Sequence, residues 1–454
     1  MNSPRASHPS VTQAPPAPAT FWAACRFWFK LGWISFGGPA GQIAILHQEL
    51  VIRRRWISEK RFLHALNFCM VLPGPEAQQL TTYMGWLMHK TLGGLVAGLL
   101  FVLPSLFVLV GLSWLYVTCA DWPILRSAFE GIKPAVTAIV IHAAHRIGTR
   151  LMKQPRLWTI SVGAFIGVVV LQWPFALILC LAAAVAWLWH RIDPRAFTSG
   201  SAHVSHASEH AKAWIDDDTP LPAHAQVGVS AGWRVVAVGV VLACVPLAWA
   251  LLTQGVDHLL VQLGWFFTKA ALLTFGGAYA VLPYVHQGAV VEQGWLTASQ
   301  MMDGLALGET TPGPLIMVVA FVGFLAGHAT HWPGVESPFW SGFLAACWVT
   351  WFTFLPSFVF ILAGAPWVER TQRQLQWAAP LTGISAAVLG VMAQLALTFA
   401  QHSLWPLGLA GPLNWGAMLI AVCSAVALIR FKRGVWEVIA LSALAGVGLS
   451  WLRS

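Results

Sequence analysis

Charge is scarce in this sequence. Asp, Glu, Lys and Arg make up 9% of its 454 residues and 57% are hydrophobic, with a mean hydropathy of +0.67. A soluble domain carries about 25% charged residues, so a soluble enzyme is excluded and an integral membrane protein remains. Alternating strand-length segments of about ten residues are absent too, which removes an outer-membrane barrel and leaves helices. The seven cysteines form no C-x-x-C pair and six lie in apolar runs, where they read as small buried hydrophobes. Neither a disulfide framework, a metal centre nor any cofactor is implied. No His-Glu-x-x-His motif or Ser/His pairing supports a membrane-embedded enzyme. Acidic residues number 17 against 26 Lys and Arg, a net charge of +9. The excess sits in short loops between apolar runs, as positive-inside topology requires, and does not form a nucleic-acid surface.

What is abundant is tryptophan, proline and glycine. Trp residues number 26, and Trp114, Trp122, Trp173 and Trp187 stand at span ends as an interfacial belt in a lipid bilayer would. Residues 1–20 read as a disordered tail, 21–189 as a first membrane unit, 190–230 as a solvated cytoplasmic linker, 231–252 as a single span and 253–454 as a second membrane unit. Within the first unit, full spans are expected at about 92–117, 124–145, 157–171 and 173–189. The linker carries His203, His206, His210, His224 and Asp216–Asp218, with no ligand spacing that would specify a metal.

Two stretches interrupt the apolar runs and recur. Pro73-Gly74-Pro75 and Pro312-Gly313-Pro314 stand 239 residues apart, as do Phe36-Gly37-Gly38 and Phe275-Gly276-Gly277. Proline lacks the helical N–H and glycine frees the backbone, so neither stretch continues a helix. At membrane depth such a break is tolerated only where protein or a polar cavity covers it. Aligned at this offset, residues 27–75 and 266–314 match without a gap at 13 of 49 positions, including Lys30/Lys269, His47-Gln48/His286-Gln287 and Trp56/Trp295. Beyond it, Leu103-Pro104-Ser105 recurs as Leu355-Pro356-Ser357 and Gly131-Ile132 as Gly383-Ile384. The basic loop Arg53, Arg54, Arg55, Lys60 and Arg61 answers to an uncharged or acidic loop at 292–300, and Arg146, Arg150, Lys153 and Arg156 answer to none at 398–408. The expected fold is therefore all-α, with two inverted-topology repeats whose broken helices form hairpins near the midplane. The N-terminus is expected inside and the C-terminus outside; a single broken pass over 21–52 is the alternative.

A half-helix starting at mid-membrane aims N–H groups and a positive dipole end at whatever lies there, which makes an anion site. The candidate anion-binding residues are Lys30, Gly37, Gly38, Pro39, Gln42, Pro73, Gly74, Pro75, Gln78 and Gln79 in the first repeat. In the second they are Lys269, Gly276, Gly277, Thr310, Thr311, Pro312, Gly313 and Pro314. Glycine admits close approach; Gln and Thr supply neutral donors; the paired lysines would face the anion, or else snorkel. Glu76 and Glu309 flank the second break of each repeat and are candidates to carry a coupling proton, Glu76 also serving as a helix cap. His47 and His286 read as interfacial. Asp303, Arg126 and Lys133 are polar intrusions without a like partner in the other repeat.

At Phe36–Ala44, Arg55–Glu59, Leu72–Leu80 and Gly308–Leu315 the sequence resembles the chromate ion transporter family in its long, two-repeat bacterial form. The resemblance spans 21–452 and leaves out the tail and the linker. It implies a secondary carrier exporting chromate across the inner membrane, with chromate resistance as the outcome, sulfate as natural competitor and room for a homodimer. A carrier of another tetrahedral oxyanion, an oxyanion channel and a membrane-embedded enzyme are the other readings.

Overall fold

A computed structural model describes residues 16–151, 154–193, 212–220, 224, 229–275, 277–330, 335, 337–368 and 378–452. The expected features at Lys153, Gly276, most of the tail and the linker histidines other than His224 lie outside these. The described residues are helical, with one isolated β-bridge.

Helix α1 (Phe21–Ile34) starts on a Thr20 cap and stops where Ser35 Oγ donates back to the Leu31 carbonyl at 2.7 Å. Gly37 and Gly38 then turn the chain at φ +88° and +68°. Helix α2 (Gly38–His47) relaxes into one π turn at Gln48–Arg53. Helix α3 (Glu59–Cys69) is capped by Ser58 and ends before Pro73. Helix α4 (Glu76–Thr118) is two arms. His89 and Lys90 leave helical geometry (Lys90 φ +60°), and Gly85 lies against Gly93 with no room for a Cβ, so the arms fold back antiparallel. Helices α5 (Pro123–Leu151), α6 (Pro155–Val169) and α7 (Phe175–Ile192) complete this set.

The helix α8 (Val229–Gln254) intervenes, and the same order then returns. Helix α9 (Leu259–Leu273) is stopped by Thr274, whose Oγ1 donates to the Ala270 carbonyl at 2.6 Å, as Ser35 does to Leu31. Helix α10 (Leu282–His286) again passes into a π turn, at Gln287–Glu292. Helix α11 (Ala298–Thr310) opens on a Thr297/Gln300 capping box. Helices α12 (Val318–Ala329) and α13 (Pro338–Val368) answer to the two arms of α4, and α14 (Ala378–Leu404), α15 (Trp415–Ile429) and α16 (Val435–Trp451) to α5–α7.

Contacts fix which way each set faces. At one face Trp214 N–H donates to the Arg55 carbonyl, His89 donates to the Ala19 carbonyl at 3.0 Å, and the His89 and Trp214 rings stand 6.3 Å apart. The start of α1, the loop after α2 and the turn inside α4 therefore share that face, so the chain from α1 to α4 enters and returns twice. The long arm of α4, 28 residues and about 42 Å, runs from that turn to the far face. There Val117 shares a cavity wall with Trp295, Thr297 and His328, and Trp114 meets His328 and Phe339. The corresponding turns of the second set thus lie at the opposite face.

The two sets are interleaved. α5 packs on α15 and α16, and α14 packs on α6 and α7. The seams are small-residue contacts: Gly131 against Gly446 and Ser442, Gly383 against Ala182 and Ala186. Between lipid and protein there is little hydrophobic driving force, so close backbone approach supplies the packing energy. Among the described residues five helices are long and apolar enough to cross a membrane. The full span expected at 173–189 is among them as α7, whereas that expected at 157–171 is α6, with 15 residues, about 22 Å, against a hydrocarbon core of about 30 Å.

The linker departs from expectation where it is described. Ile215 pairs with Ile57 and is buried among repeat-one residues, Ser58 Oγ donates to Asp217 Oδ1 at 2.6 Å, and Arg61 donates to the Thr219 carbonyl at 2.5 Å. That part is docked rather than solvated, because Trp214 and Ile215 supply an apolar anchor in a polar run. His224 donates to the Trp86 carbonyl at 3.0 Å, and burial holds its imidazole below the usual value.

The breaks generate a stability prediction. A Cβ on Gly74 (φ +129°) would sit 2.6 Å from Ser357 Oγ and from Gln79 Nε2, whereas one on the helical Gly163 meets nothing within 4 Å. Gly74→Ala is expected to cost about 1–3 kcal/mol in backbone strain and overpacking. Gly163→Ala should be neutral or gain up to about 1 kcal/mol. Thermal unfolding of detergent-purified variants compares them directly; equal midpoints would mean the break does not need glycine.

Candidate functional site

The four breaks meet. Gly74 N–H donates to the Thr274 carbonyl at 2.7 Å, and Gly313 N–H donates to the Ser35 carbonyl at 2.8 Å. Both donors are 239 residues apart, and so are both acceptors. The second break of each repeat is thus tied by backbone to the first break of the other. Gly74 also abuts Ser357, and Gly313 abuts Ser105, from the recurring Leu-Pro-Ser segments. Each contact has its counterpart across the two repeats.

Most expected site residues lie here, but several donors are already engaged. Gln42 Nε2 donates to the Gly313 carbonyl at 2.5 Å and Gln79 Nε2 to the Pro73 carbonyl at 2.7 Å. Gln78 Nε2 donates to Thr82 Oγ1 at 3.0 Å, and its Oε1 accepts from Ser357 Oγ at 2.9 Å. Thr310 and Thr311 return their hydroxyl protons to carbonyls of their own helix, Ala306 and Gly308, each at 3.1 Å. These side chains staple the breaks. Gly37, Gly38 and Pro39 form one tip, Pro73–Pro75 the second and Pro312–Pro314 a third; Gly277, at φ +103°, lies in the fourth.

Lys30 and Lys269 are not in this cluster. Both are exposed, Lys30 on a stripe of α1 with Trp22, Arg26, Phe29 and Trp33, and Lys269 on a stripe of α9 with Trp265 and Leu272. Lys269 Nζ stands 5.6 Å from the Trp265 ring. An aromatic outer stripe carrying a long cationic side chain is what a snorkelling lysine requires. The expectation that the pair faces an anion is corrected accordingly. α1 and α9 are apolar on both sides, and only packing decides which side turns inward.

The acidic candidates differ from one another. Glu309 is 5% exposed, its Oε1 accepts from Tyr279 OH at 2.6 Å, and its Oε2 has no hydrogen-bond partner. Glu76 is half-buried and its carboxylate lies near Gly277. The Arg146 guanidinium sits 5.6 Å from the Tyr279 ring and its charge reaches Glu309. Tyr279 OH in turn lies against the Gly38 turn. The junction therefore holds one buried carboxylate, a phenol, a nearby guanidinium and the first-turn amides of α2 and α4. That set can hold an anion and a proton close together. Tyr279 and Arg146 were not among the sequence candidates. Neither has a like residue in the other repeat (Ala40 and Thr398), which is the signal that recurrence could not supply. The scarcity of tyrosine, four in the chain, was a usable one.

Comparison with known proteins gives the arrangement a family. Residues 22–188 and 261–447 each match the sequence pattern of the family described as Chromate transporter. The chain is 33% identical over 407 residues to the chromate transport protein of Pseudomonas aeruginosa, covering 86% of this chain and 84% of that one. It is 27% identical over 408 residues to the chromate transport protein of Cupriavidus metallidurans, covering 90% and 87%. An uncharacterized transporter of Methanocaldococcus jannaschii is 23% identical over 379 residues, 83% of each chain. No solved structure matches. One family pattern found twice, once on each set of broken helices that meet at the junction, shows that this chain belongs to the chromate transporter family.

Proposed function

We propose that this chain is a secondary carrier that exports chromate from the cytoplasm across a bacterial inner membrane, coupled to protons, conferring chromate resistance. The observation that carries it is the junction of four breaks around Glu309, Tyr279 and Arg146 in a chain of this family. Related chains named for chromate transport supply the cargo, and the resemblance supplies the direction.

Chromate is a tetrahedral dianion. Arg146 offers it a permanent charge and a planar fork of donors. The first turns of α2 and α4 offer N–H groups with no partner in their own helices. Glu309 is too close to a bound dianion for both to keep full charge in a buried place. The carboxyl binds a proton as chromate arrives and yields it as chromate leaves, so the two cargoes cross together. Glu76, at the first turn of α4, shares the coupling role. Two repeats of inverted topology rock about the tips, exposing the junction to each face in turn.

Charge distribution supports the orientation. The face shared by Arg53–Arg61, the start of α1 and the docked linker is the cytoplasmic one by the positive-inside rule. The basic turn between α15 and α16, with Arg430, Lys432 and Arg433, supports the same side for that turn and the periplasmic side for the C-terminus.

Radiolabelled chromate uptake by inside-out vesicles tests the reading. Uptake should follow an imposed proton gradient, collapse with it, and fall when sulfate competes. Uptake of sulfate with none of chromate would reassign the cargo; downhill flux indifferent to the gradient would make the protein a channel.

Two substitution series follow. Arg146→Gln should weaken chromate binding about 10- to 100-fold, the worth of one charge-assisted contact of about 1.5–3 kcal/mol. Lys30→Met and Lys269→Met should leave it within about twofold, and a larger loss would return the lysines to the site. Glu309→Gln should keep tracer exchange of chromate at equal concentrations while losing accumulation against a gradient. Full gradient-dependent export by Glu309→Gln together with Glu76→Gln would eliminate the coupling role.

A further inference from the structure

Glu309 has a counterpart on its own helix. Asp303 lies six residues earlier on α11, about 9 Å along the axis, and is 2% exposed. Its Oδ2 accepts from Tyr116 OH at 3.0 Å and its Oδ1 has no hydrogen-bond partner. Glu309 is held in the same way: one oxygen on a tyrosine hydroxyl, the other unpartnered, and a cation of α5 within electrostatic reach. For Asp303 that cation is Lys133. Two of the four tyrosines in the chain thus hold the two buried carboxylates of one helix.

The residue before Asp303, Met302, lines a cavity. This cavity, of about 640 Å³, is bounded by Arg126, Glu130 and Lys133 of α5, Ser299 and Met302 of α11, and His402 of α14. The base of α11 and the start of α5 belong to the face opposite the linker, so the cavity opens there. The charged and titratable groups facing Asp303 are Tyr116 from α4, the Glu130–Lys133 ion pair (2.6 Å) from α5, and Arg126 and His402 on the cavity wall; α12 presents Phe321 and α16 presents Leu449 and Ser450. An unpartnered carboxylate oxygen in so buried a place is costly when ionised. A permanent structural acceptor for Tyr116 would be served as well by an amide. A carboxyl that binds and releases a proton needs this combination of burial, an adjacent cation and a nearby polar-lined cavity.

We infer that Asp303 is a second proton-carrying residue, which passes protons along α11 between Glu309 and the cavity on the face opposite the linker. The inference rests on the proton-coupled reading of the junction. In each cycle Glu309 takes one proton from the linker side as chromate binds. As chromate leaves toward the opposite face, that proton moves to an Asp303 oxygen and on to the cavity; no bond other than O–H is made or broken. Asp303 conducts for Glu309 and does not touch the anion.

The test uses the full-length chain in liposomes with two readouts: tracer exchange at equal chromate concentrations, and accumulation driven by an imposed pH gradient. Asp303→Asn is expected to keep exchange within about twofold and to lose at least tenfold in accumulation. Tyr116→Phe, which keeps the ring and removes one hydrogen bond, should shift the pH dependence of accumulation and leave exchange alone. Asp303→Asn accumulating like the parent overturns the inference. So does loss of both activities that Asp303→Glu fails to restore, since that assigns a structural role. A parent chain without chromate exchange refutes the transport reading itself, and is distinguished by failing before any substitution is made.

Discussion

Everything in this molecule depends on two backbone hydrogen bonds, Gly74 to Thr274 and Gly313 to Ser35. A helix broken at membrane depth leaves peptide groups that water would satisfy and lipid does not, at several kcal/mol each. Neither repeat satisfies these groups alone, because each donates to the other. The glycines that donate are held at positive φ, where other residues are strained, and the serines packed on them come from the partner repeat. Joining the repeats and creating a polar junction at mid-depth are therefore one event. The interleaving of α5 with α15 and α16, and of α14 with α6 and α7, holds the frame around it.

What the sequence revealed follows from this. Proline and glycine act locally and unmistakably on a helix, and they recur at a fixed offset, so the breaks and the doubling of the chain could be read without coordinates. Apolarity set the class, and the loops carrying Arg53–Arg61 set the sidedness expected of each half. The inward faces could not be read. In a soluble helix polar residues mark the outside, but α1 and α9 are apolar toward both lipid and protein, so Lys30 and Lys269 gave no sign of facing out. Tyr279 and Arg146 were passed over for another reason. Neither recurs in the other repeat, and Arg146 lies far along the chain from either break, so only the fold brings it to them. The docked linker was hidden by its composition: two apolar residues, Trp214 and Ile215, anchor a segment that reads as solvated.

The backbone of the junction is close to symmetric while its polar side chains are not. Ser35 and Thr274, Gly74 and Gly313, Ser105 and Ser357 correspond, but Glu309 answers to Met70, Tyr279 to Ala40, Gln42 to Val281 and Asp303 to His64. A symmetric scaffold gives two related conformations of comparable energy, which alternating access needs. If the side chains were symmetric too, both faces would see the same site and nothing would bind the two cargoes into one cycle. The acidic pair on α11 breaks that equivalence. On the proposed reading, the second repeat supplies the buried proton-carrying carboxylates, while the first supplies Arg146 and backbone amides to the anion. Symmetry in the backbone and asymmetry in the titratable groups would then divide the work: the first permits the motion, and the second makes the passage of the anion depend on the proton.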